Sequence, residues 1–501
     1  MKQDPGLAST GRLKVGPAPE LIQSANRLEV AYGPTLAKGL SLADLAHVIM
    51  LAEAEIIPQQ AAQTLLASLL TVHHMPVEDF VFDPAVGDAY KNRERYVTHL
   101  SPETGGWLRT GRARREVTNI AYQIAVRERI LKLVEKLADL ADALVALADR
   151  HVDTIMPDYT YLQQAQPTSL AHYLLSFVFP IQRDFERFQA CFHRVNQCSG
   201  GIGSVNGSRL PISRQRLAEL LGFEEAILHT RDAMWQADLP VEIMACVVAS
   251  AINMDRLAED LQIWSTREFD LVQVADGYCR ESVIMPQKKN PYSLAFVRGV
   301  AGVLIGQMTA MANVGKTFSG QPDSRIFAYG DIPKALDLAI QTVELMCGVI
   351  TTLSVNVPFM ASRAADGYAQ ATDLAEVIMV EANLPYLTAH RLVGEVISQA
   401  VEEGIPAIRI TGQMIDDAAL QILGHALNIF PETINQAVDP KEIVATRTGL
   451  GGAASQSVKN MIGEASASIS DVRTWKAGLQ AFLTKAEESL IGLAEEMTGG
   501  K

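Results

Sequence analysis

Two long stretches without glycine or proline constrain the fold of this 501-residue chain more than any other feature. The first runs from Arg112 to Met156, and the second runs from Val241 to Asp276. In the first stretch, apolar residues recur at alternating steps of four and three, as on a helix that packs lengthwise against other helices. That face carries Ile130, Val134, Leu137, Ala141, Leu144 and Ala148. A helix of this length would extend about 68 Å at about 1.5 Å per residue, so only a bundle of long helices accommodates it.

Two further helical segments add surfaces that one chain cannot cover. The second stretch repeats the pattern on the face formed by Ile243, Val247, Ala251, Met254, Ala258 and Leu261. After residue 292, Gly299, Gly302 and Gly306 recur at steps of three and four, and their missing side chains allow another helix to approach closely. Because these faces need more partner surface than one chain offers, we predict oligomerisation through them.

The remaining sequence predicts shorter helices and few strands. Residues 1–28 are polar and contain several prolines and glycines, which predicts a loosely ordered arm before helices that begin near Ser41. A second helix is expected from Gln59 to Val72. Beyond Pro358, glycines and a proline break shorter helical segments, which we assign to a separate C-terminal domain. We therefore predict an all-α fold.

Composition and cysteine usage argue against several classes of function. The formal net charge is −14 and the pI is about 5.3, whereas nucleic-acid binding requires concentrated lysine and arginine. Nucleic acid is therefore not an expected partner, although a local basic pocket would suit a small anionic substrate.

Five dispersed cysteines are typical of reduced thiols in a cytoplasmic protein. No uninterrupted apolar run approaches the about 18 residues of a membrane span, and the ten histidines lack metal-ligand spacing, so neither a membrane nor a metal is expected.

The most chemically specific segment is the loop from Glu281 to Tyr292, which joins two helical segments. Its two prolines interrupt regular structure, which predicts an interhelical loop rather than a strand. Lys288 and Asn290 lie two residues apart and could offer donors to one carboxylate, while Ser282 could reach the adjacent carbon. A serine hydroxyl acts as a base only where nearby cations and amide donors stabilise its alkoxide. A polar loop with solvated lysines is the alternative interpretation.

Two other segments combine polar side chains with a break in the helical pattern. Arg114 and Arg115 follow a glycine-rich entry to the first long helix, and they form either an anion site or a solvated basic helix start. Thr160, Tyr161 and Gln166 lie in the segment that ends this helix. There Thr160 could hydrogen-bond a carboxylate and Tyr161 could donate a proton. A capped interhelical turn is the alternative interpretation of this second segment.

Five ordered blocks resemble the argininosuccinate lyase branch of the fumarase/aspartase superfamily, over residues from about 80 to 465. The blocks are 105–114, 156–167, 203–208, the signature run from Ser282 to Pro291, and 371–376. The resemblance implies an all-α, three-domain subunit whose central long helices form a bundle that tetramerises, with active sites shared between subunits. On this basis we predict domains at 1–115, 116–362 and 363–501, with the signature loop at 281–292 in the central domain.

The reaction of that family is an elimination that releases fumarate and requires no cofactor. A base removes a proton beside a carboxylate, an aci-carboxylate forms, and the C–N or C–O bond breaks. The rate must come from stabilising the doubly charged carboxylate and from placing the base. The resemblance implies that Ser282 is the base, that Lys288 and Asn290 hold the reacting carboxylate, and that Thr160 assists.

This sequence departs from the family pattern at positions that carry the chemistry. Glu281 and Val283 replace the glycine and the second serine of the signature. Tyr161 stands where the family has a histidine, and Ala295 stands where it has the partner glutamate. An orphaned buried carboxylate would be costly, so the two losses are interpreted as coordinated. Tyr161 becomes the candidate acid, although a tyrosine that merely fills the space of the histidine remains an equal alternative.

Positions that recognise the substrate also differ from argininosuccinate lyase. Arg114 and Arg115, with the alanine before them, replace a Ser-Arg-Asn trio. The stretch 323–331, which contains Arg325 and Tyr329, replaces the family's segment that binds the arginine end of argininosuccinate. We therefore predict a C–N lyase that eliminates fumarate from an N-substituted aspartate other than argininosuccinate, or that adds an amine to fumarate. The alternatives are argininosuccinate lyase itself and a catalytically inactive structural or binding member of the family.

Overall fold

The computed structural model describes residues 15–320 and 324–499 and is predominantly helical. The N-terminal helices are α1 (Pro19–Leu21), α2 (Arg27–Ala31), α3 (Gly33–Glu53), α4 (Gln59–His73) and α5 (Ala89–Leu100), with a π-helical turn at Ile22–Asn26. The central helices are α6 (Arg114–Arg150), α7 (Leu170–Val195), α8 (Arg214–Leu220), α9 (Thr230–Met234), α10 (Leu239–Trp264), α11 (Tyr292–Gly315) and α12 (Arg325–Thr351). The remaining helices are α13 (Val357–Asp366), α14 (Ala371–Glu381), α15 (Tyr386–Glu403), α16 (Gly412–Leu423), α17 (Pro431–Val438), α18 (Pro440–Ala445) and α19 (Ser455–Met497).

The strands of the described residues are short and pair two by two. The pairs are β1 (Ile155–Thr160) with β2 (Gln163–Ser169), β3 (Gln197–Cys198) with β4 (Glu225–Ala226), β5 (Val272–Gln273) with β8 (Ser354–Val355), and β6 (Arg280–Glu281) with β7 (Lys289–Asn290). All pairs are antiparallel except β3 with β4. Strands contribute little to this architecture, so the prediction of an all-α fold is confirmed.

Helix α6 runs through the main hydrophobic core and confirms the heptad face of the sequence. Its six predicted face residues are at most 1% exposed, and the helix packs against α3, α7, α12 and α19. It spans 37 residues and ends at Arg150, so the expectation that it reaches Met156 is wrong. The chain instead becomes extended from Ile155, because the residue before Pro157 is disfavoured in helical backbone.

Helices α10 and α11 lie antiparallel, and the neighbours of their ends show which elements lie at each end of the bundle. Helix α10 starts at Leu239 and ends at Trp264, which makes it shorter than the predicted stretch to Asp276. The ring of Trp264 lies 6.5 Å from that of Tyr159 in β1, so α10 ends beside the β1–β2 hairpin. Gly315, the last residue of α11, lies against the backbone of Ala237, just before α10. The start of α11 therefore lies at the hairpin end of the bundle.

One face of α11, formed by Phe296, Gly299, Gly302, Val303 and Gly306, is open to solvent within a single chain. A methyl group added to any of the three glycines would meet nothing within 4 Å. Phe296 is 39% exposed and Val303 is 52% exposed. This "α11 face" matches the surface that the sequence predicts for close approach of another helix.

By length and composition, α3 and α11 each meet the criterion for a membrane span. The relevant window of α3 is 83% buried inside the protein, which is typical of a core helix, whereas the window of α11 is only 33% buried. Arg298 of α11 pairs with Glu259 of α10 at 2.8 Å, so this helix carries a charged contact in mid-sequence. The apolar surface of α11 therefore belongs to a helix that is already packed against α10 and α12.

The N-terminal helices begin earlier than the sequence predicted. Helix α3 starts at Gly33 rather than near Ser41, with Pro34 in the first turn, where its missing N–H group requires no partner. Helix α4, from Gln59 to His73, confirms the second prediction. Part of the predicted N-terminal arm, up to residue 14, lies outside the described residues. The remainder of that arm is largely helical, contrary to prediction.

Replacing Gly39 with alanine is expected to destabilise the protein, because α3 and α6 touch there through their backbones. A Cβ atom at Gly39 would lie 2.5 Å from Cα of Ala121, so one helix must shift. Such overpacking costs about 1–3 kcal/mol. The matched control is Gly394→Ala in α15, where a Cβ meets nothing within 4 Å, and it should stabilise by about 0.5–1 kcal/mol. Urea unfolding of both variants measures the difference, and equal midpoints would contradict the close helix contact.

Two hydrophobic clusters organise the C-terminal part of the described chain. Helices α14 to α17 form a separate small cluster, and their breaks at Gly404, Gly412, Gly424 and Pro431 agree with the sequence prediction. Helix α19 spans 43 residues and contributes to the main core instead. Sequence reasoning anticipated only short helices here. The division into domains at residues 115 and 362 stays a prediction.

Candidate active site

A cavity of about 230 Å³ lies at the start of α6 and is lined by several of the predicted residues. We call it the arginine cavity, and its lining is Ala113, Arg114, Arg115, Glu116, Asn119, Ile202, Ser204, Ala233, Met234 and Arg325. Arg325 is only 2% exposed and donates through Nη1 to the carbonyl oxygen of Met234. The structure therefore brings together the two sequence segments, 114–115 and 325, that were assigned to substrate recognition. Asp323 lies outside the described residues.

Glu116 holds the arginine cavity together and was not identified from the sequence. Its carboxylate accepts hydrogen bonds from the backbone N–H groups of Ala113 at 2.6 Å, Ile202 at 2.8 Å and Ser204 at 3.1 Å. The first of these contacts satisfies a helix-start N–H, and the other two tie the 200–208 loop to α6. A glutamate three residues after the helix boundary is a recognisable capping signal, so the sequence contained the information.

Arg114 and Arg115 are each paired with a carboxylate. Arg114 pairs with Asp88 at 2.9 Å, and Arg115 pairs with Glu29 at 2.6 Å. Burial opposes the charge on Arg115, but the hydrogen bond and charge of Glu29 together with Asp88 raise the pKa of its guanidinium above the usual value. These ion pairs hold both side chains at the helix start.

Tyr329 is buried behind the arginine cavity, packed between aromatic rings. Its ring centroid lies 5.4 Å from that of Tyr122 and 6.2 Å from that of Trp235. Burial raises the pKa of Tyr329, so its phenol is neutral at physiological pH. Its hydroxyl has no hydrogen-bond partner among the described residues. Direct contact with a substrate would require access through Arg115, which lines the same small space.

Thr160, Tyr161 and Gln166 lie on an exposed β-hairpin between α6 and α7, so the alternative interpretation as a capped interhelical turn is wrong. Thr160 pairs with Gln163, and the two-residue tip consists of Tyr161 and Leu162 with positive φ angles of 55° and 59°. Left-handed backbone is costly for such side chains and is often retained for function. The sequence carries no glycine or asparagine at the tip, which explains why the hairpin was missed.

The tip of this hairpin projects away from its own chain. Tyr161 is 99% exposed and Leu162 is 54% exposed. The strands are fixed close to the tip, because Tyr159 packs against Phe269 at 5.8 Å between ring centroids, and Gln164 donates to the carbonyl of Arg363 at 3.1 Å. A held tip whose tyrosine is almost fully exposed is suited to enter a site on another molecule.

The signature loop is also a short hairpin, contrary to the expectation of a loop without strands. Arg280 pairs with Asn290 and Glu281 pairs with Lys289, so Ser282 and Lys288 come next in register. Facing residues of an antiparallel pair share one side, which places Ser282, Lys288 and Asn290 on the same side of the hairpin. The predicted grouping of these three residues is consistent with this register.

Hydrogen bonds fix the backbone of the signature loop while its side chains face solvent. Ser282 Oγ accepts from the N–H of Met285 at 3.2 Å, and Asn290 Nδ2 donates to the carbonyl of Arg280 at 3.1 Å. Lys289, on the opposite side, pairs with Asp276 at 2.6 Å. The apolar side chain of Val283 is 99% exposed, so this loop presents surface that a single chain does not cover.

The arginine cavity lies at one end of the bundle, and both hairpins lie at the other. Helix α6 begins at Arg114 and leads into β1, and its 37 residues extend about 55 Å. Helix α11 begins after the signature loop and ends near the cavity, and its 24 residues extend about 36 Å. The predicted site residues therefore form two groups that do not meet within one chain. Among the described residues, no cluster of side chains could hold a metal ion.

Comparison with known proteins shows the family to which this chain belongs. A family described as lyase matches residues 43–306, which is more than half of the chain, and the argininosuccinate lyase C-terminal family matches residues 368–445. The argininosuccinate lyase of Methanosarcina acetivorans is 31% identical over 497 residues, which cover 97% of this chain and 98% of the relative. The chain belongs to the argininosuccinate lyase family. The enzyme of that name from Methanothermobacter thermautotrophicus is also 31% identical, over 84% of this chain and 90% of the relative.

Solved structures place this member of the argininosuccinate lyase family in the fumarase/aspartase superfamily. EDDS lyase in complex with formate superposes with a TM-score of 0.87 at 27% identity, covering 97% of both chains. An EDDS lyase variant with bound fumarate has a TM-score of 0.88 at 27% identity, covering 98% of both chains. The fumarate lyase of Mesorhizobium sp. BNC1, at 19% identity and a TM-score of 0.71 over 90% of this chain and all of that one, shows the fold alone. The resemblance drawn from the five sequence blocks is confirmed.

Proposed function

We propose that this protein is a C–N lyase that releases fumarate from an N-substituted aspartate other than argininosuccinate, or adds an amine to fumarate. The observation that supports the proposal is the register of the signature hairpin: continued past its two pairs, it has Ser282 on the side of Lys288 and Asn290, in a family of lyases. The EDDS lyase variant with bound fumarate, at 27% identity over nearly the whole chain, supports fumarate as the common half of the substrate. A small anionic substrate suits the cationic residues in both groups.

The proposed roles follow from charge development during the elimination. Ser282 removes the proton from the carbon beside one carboxylate, and the electrons move into that carboxylate to give an aci-carboxylate. Lys288 and Asn290 stabilise the added charge as an ammonium and an amide donor, with Thr160 as a further donor. The C–N bond then breaks, the nitrogen leaves with a proton, and Tyr161 is the candidate donor of that proton. No cofactor enters these steps.

We propose that the complete site forms only in a homotetramer. The tip at Tyr161 and the loop at Val283 are both almost fully exposed, and the α11 face offers an open surface for helix contact. If long helices of two subunits pack antiparallel, the hairpin end of one chain meets the arginine cavity of another, which brings the two groups together. The proposed assembly also covers the apolar surface of α11, and the protein is proposed to be cytoplasmic.

The arginine cavity is proposed to bind the part of the substrate that is not fumarate, together with its distal carboxylate. Arg114, Arg115 and Arg325 line the cavity, and Gln166 on the hairpin would face it from another subunit. Tyr329 is proposed to hold the side chain of Arg115 in position and not to contact the substrate itself. Three arginines favour an amine half that carries negative charge over the cationic guanidinium end of argininosuccinate.

The function is tested by incubating the purified protein with fumarate and a panel of amines and amino acids, following the loss of fumarate absorbance. We expect consumption with one amine class, with acidic amino acids and their derivatives favoured over arginine. Argininosuccinate, tested in the elimination direction, is expected to release little fumarate. Rapid cleavage of argininosuccinate would instead support argininosuccinate lyase. If no amine in the panel causes loss of fumarate absorbance, and fumarate does not raise the melting temperature, an inactive structural member of the family is supported.

A further inference from the structure

A second cavity, lined by none of the residues assigned to the proposed lyase site, lies among the N-terminal helices. This "N-terminal cavity" has a volume of about 260 Å³ and lies between α3, the end of α4, residues 75–82, α5 and α19. Its apolar wall consists of Ala37, Leu40, Val72, Met75, Val77, Phe80 and Phe82. The rings of Phe80 and Phe82 lie 4.8 Å apart between centroids, so part of this wall is aromatic.

One end of the N-terminal cavity is polar and is formed by a chain of hydrogen bonds. Arg93 donates through Nη2 to Ser41 Oγ at 3.0 Å, and the same oxygen lies 3.0 Å from Nδ1 of His73. Arg93 is only 5% exposed, so its charge is held away from bulk water. Burial lowers the pKa of His73, and the charges of His74 and Arg93 lower it further, which keeps the imidazole neutral at pH 7.

Arg93 shares its carboxylate partner with a second arginine. Its Nε donates to Oδ2 of Asp44 at 2.8 Å, while Oδ1 of the same carboxylate accepts from Arg112. Asp44 is 0% exposed, so one buried carboxylate faces two guanidinium groups. Arg93 therefore has only a share of one buried carboxylate, whereas Glu487, which also lines the cavity, is paired with Lys38. A buried cation with a shared partner favours the binding of an anion.

Lys38, which lines the cavity one helical turn before Ser41, is balanced by partners on the chain itself. Lys38 contacts Glu128 and Glu487, each at 2.8 Å. Lys38 is therefore already surrounded by negative charge and attracts an anion less than Arg93 does. Arg93 and Ser41 therefore form the anion-binding part of the cavity, and Phe80 and Phe82 belong to its apolar part.

We propose that the N-terminal cavity is a binding site for a small amphipathic monocarboxylate. Its carboxylate contacts Arg93 and Ser41, and its apolar body, preferably aromatic, packs against Phe80 and Phe82. A dicarboxylate such as fumarate is disfavoured, because its second charge would be buried against the apolar wall. The site is therefore independent of the proposed lyase function and selects a different class of molecule.

Binding of 3-phenylpropionate to the full-length protein tests the proposal, by calorimetry and by melting temperature. We expect saturable binding and a rise in melting temperature, because a ligand of the native state stabilises it. The neutral analogue 3-phenylpropan-1-ol should bind at least about tenfold more weakly, since it lacks the charge that Arg93 recognises. Excess fumarate should not displace 3-phenylpropionate. Displacement by fumarate, or equal affinity for the alcohol, would overturn the assignment.

Two valine variants locate the binding site without disturbing the buried charges. Val77 lines the cavity and is 39% exposed, so Val77→Trp should fill the space while the fold is kept, and affinity should fall at least about tenfold. Val81 is 80% exposed and does not line the cavity, so Val81→Trp should bind within about twofold of the wild type. Unchanged affinity in Val77→Trp, or no saturable binding to the wild type, would overturn the proposal.

Discussion

Replacing Ser282 with alanine is expected to lower kcat by about 10²- to 10⁴-fold, the range for loss of a general base. The substitution removes one hydroxyl from the signature hairpin and leaves Lys288 and Asn290 in place. Fumarate should therefore still raise the melting temperature of the variant, and the oligomeric state should be unchanged. Steady-state turnover with the amine identified by the panel is the measurement. Turnover near the wild-type rate would show that another group is the base.

A pair of lysines supplies the matched control for the same hairpin. Lys288 lies on the side of Ser282, whereas Lys289 lies on the other side and pairs with Asp276. Lys288→Met should weaken fumarate binding and lower turnover together, because the added charge of the aci-carboxylate loses its ammonium partner. Lys289→Met removes the same charge from the same loop and should stay within about threefold of the wild type, since an exposed ion pair contributes little. Equal losses would indicate a general charge effect instead.

The bundle could be predicted from the sequence because its signal is repeated many times. The face of α6 alone places six apolar residues at heptad spacing, and each of them is buried. The predicted helix ends were less accurate, since a helix boundary depends on single residues such as Pro34 and Pro157 and on the structure of the following segment. Helix α19 was missed although its buried residues recur at steps compatible with a heptad, as in Val458, Ala465 and Ile469, because three glycines interrupt its 43 residues.

The two hairpins show why local geometry could not be predicted. A tip made of Tyr161 and Leu162 contradicts the usual preference for glycine and asparagine, so no local signal marks it. The strand pairs β6 and β7 contain two residues each, which is too short for a periodic pattern. Within the signature loop, by contrast, the grouping of Ser282 with Lys288 could be proposed from the sequence, because only five residues of one loop separate them.

The arrangement of the candidate site depends on contacts that no single segment encodes. Glu116 organises the arginine cavity by binding N–H groups as far away as Ile202 and Ser204. Arg325 reaches the same cavity from α12. Sequence spacing identified these arginines as chemically unusual but could not place them beside one another.

Mixed oligomers are expected to recover activity that neither parent variant has. Within one chain, Arg114 lies about 55 Å along α6 from the hairpin end of the bundle, where Ser282 also lies. Suppose that each site takes Arg114 from one subunit and Ser282 from another. An Arg114→Ala subunit can then still supply Ser282 to a site, and a Ser282→Ala subunit can still supply Arg114. In randomly mixed tetramers, both contributions are intact in about one quarter of the sites, since each has a one-half chance.

The most direct test of the account is therefore the turnover of Arg114→Ala and Ser282→Ala protomers that are unfolded together and refolded as a mixture. Each variant refolded alone should be inactive, and the wild type taken through the same procedure sets the reference rate. We predict that the mixture recovers about one quarter of that rate. If the mixture stays as inactive as its parents while forming the same oligomer, the fumarate-releasing site is not assembled from the ends of different subunits, and the account is wrong.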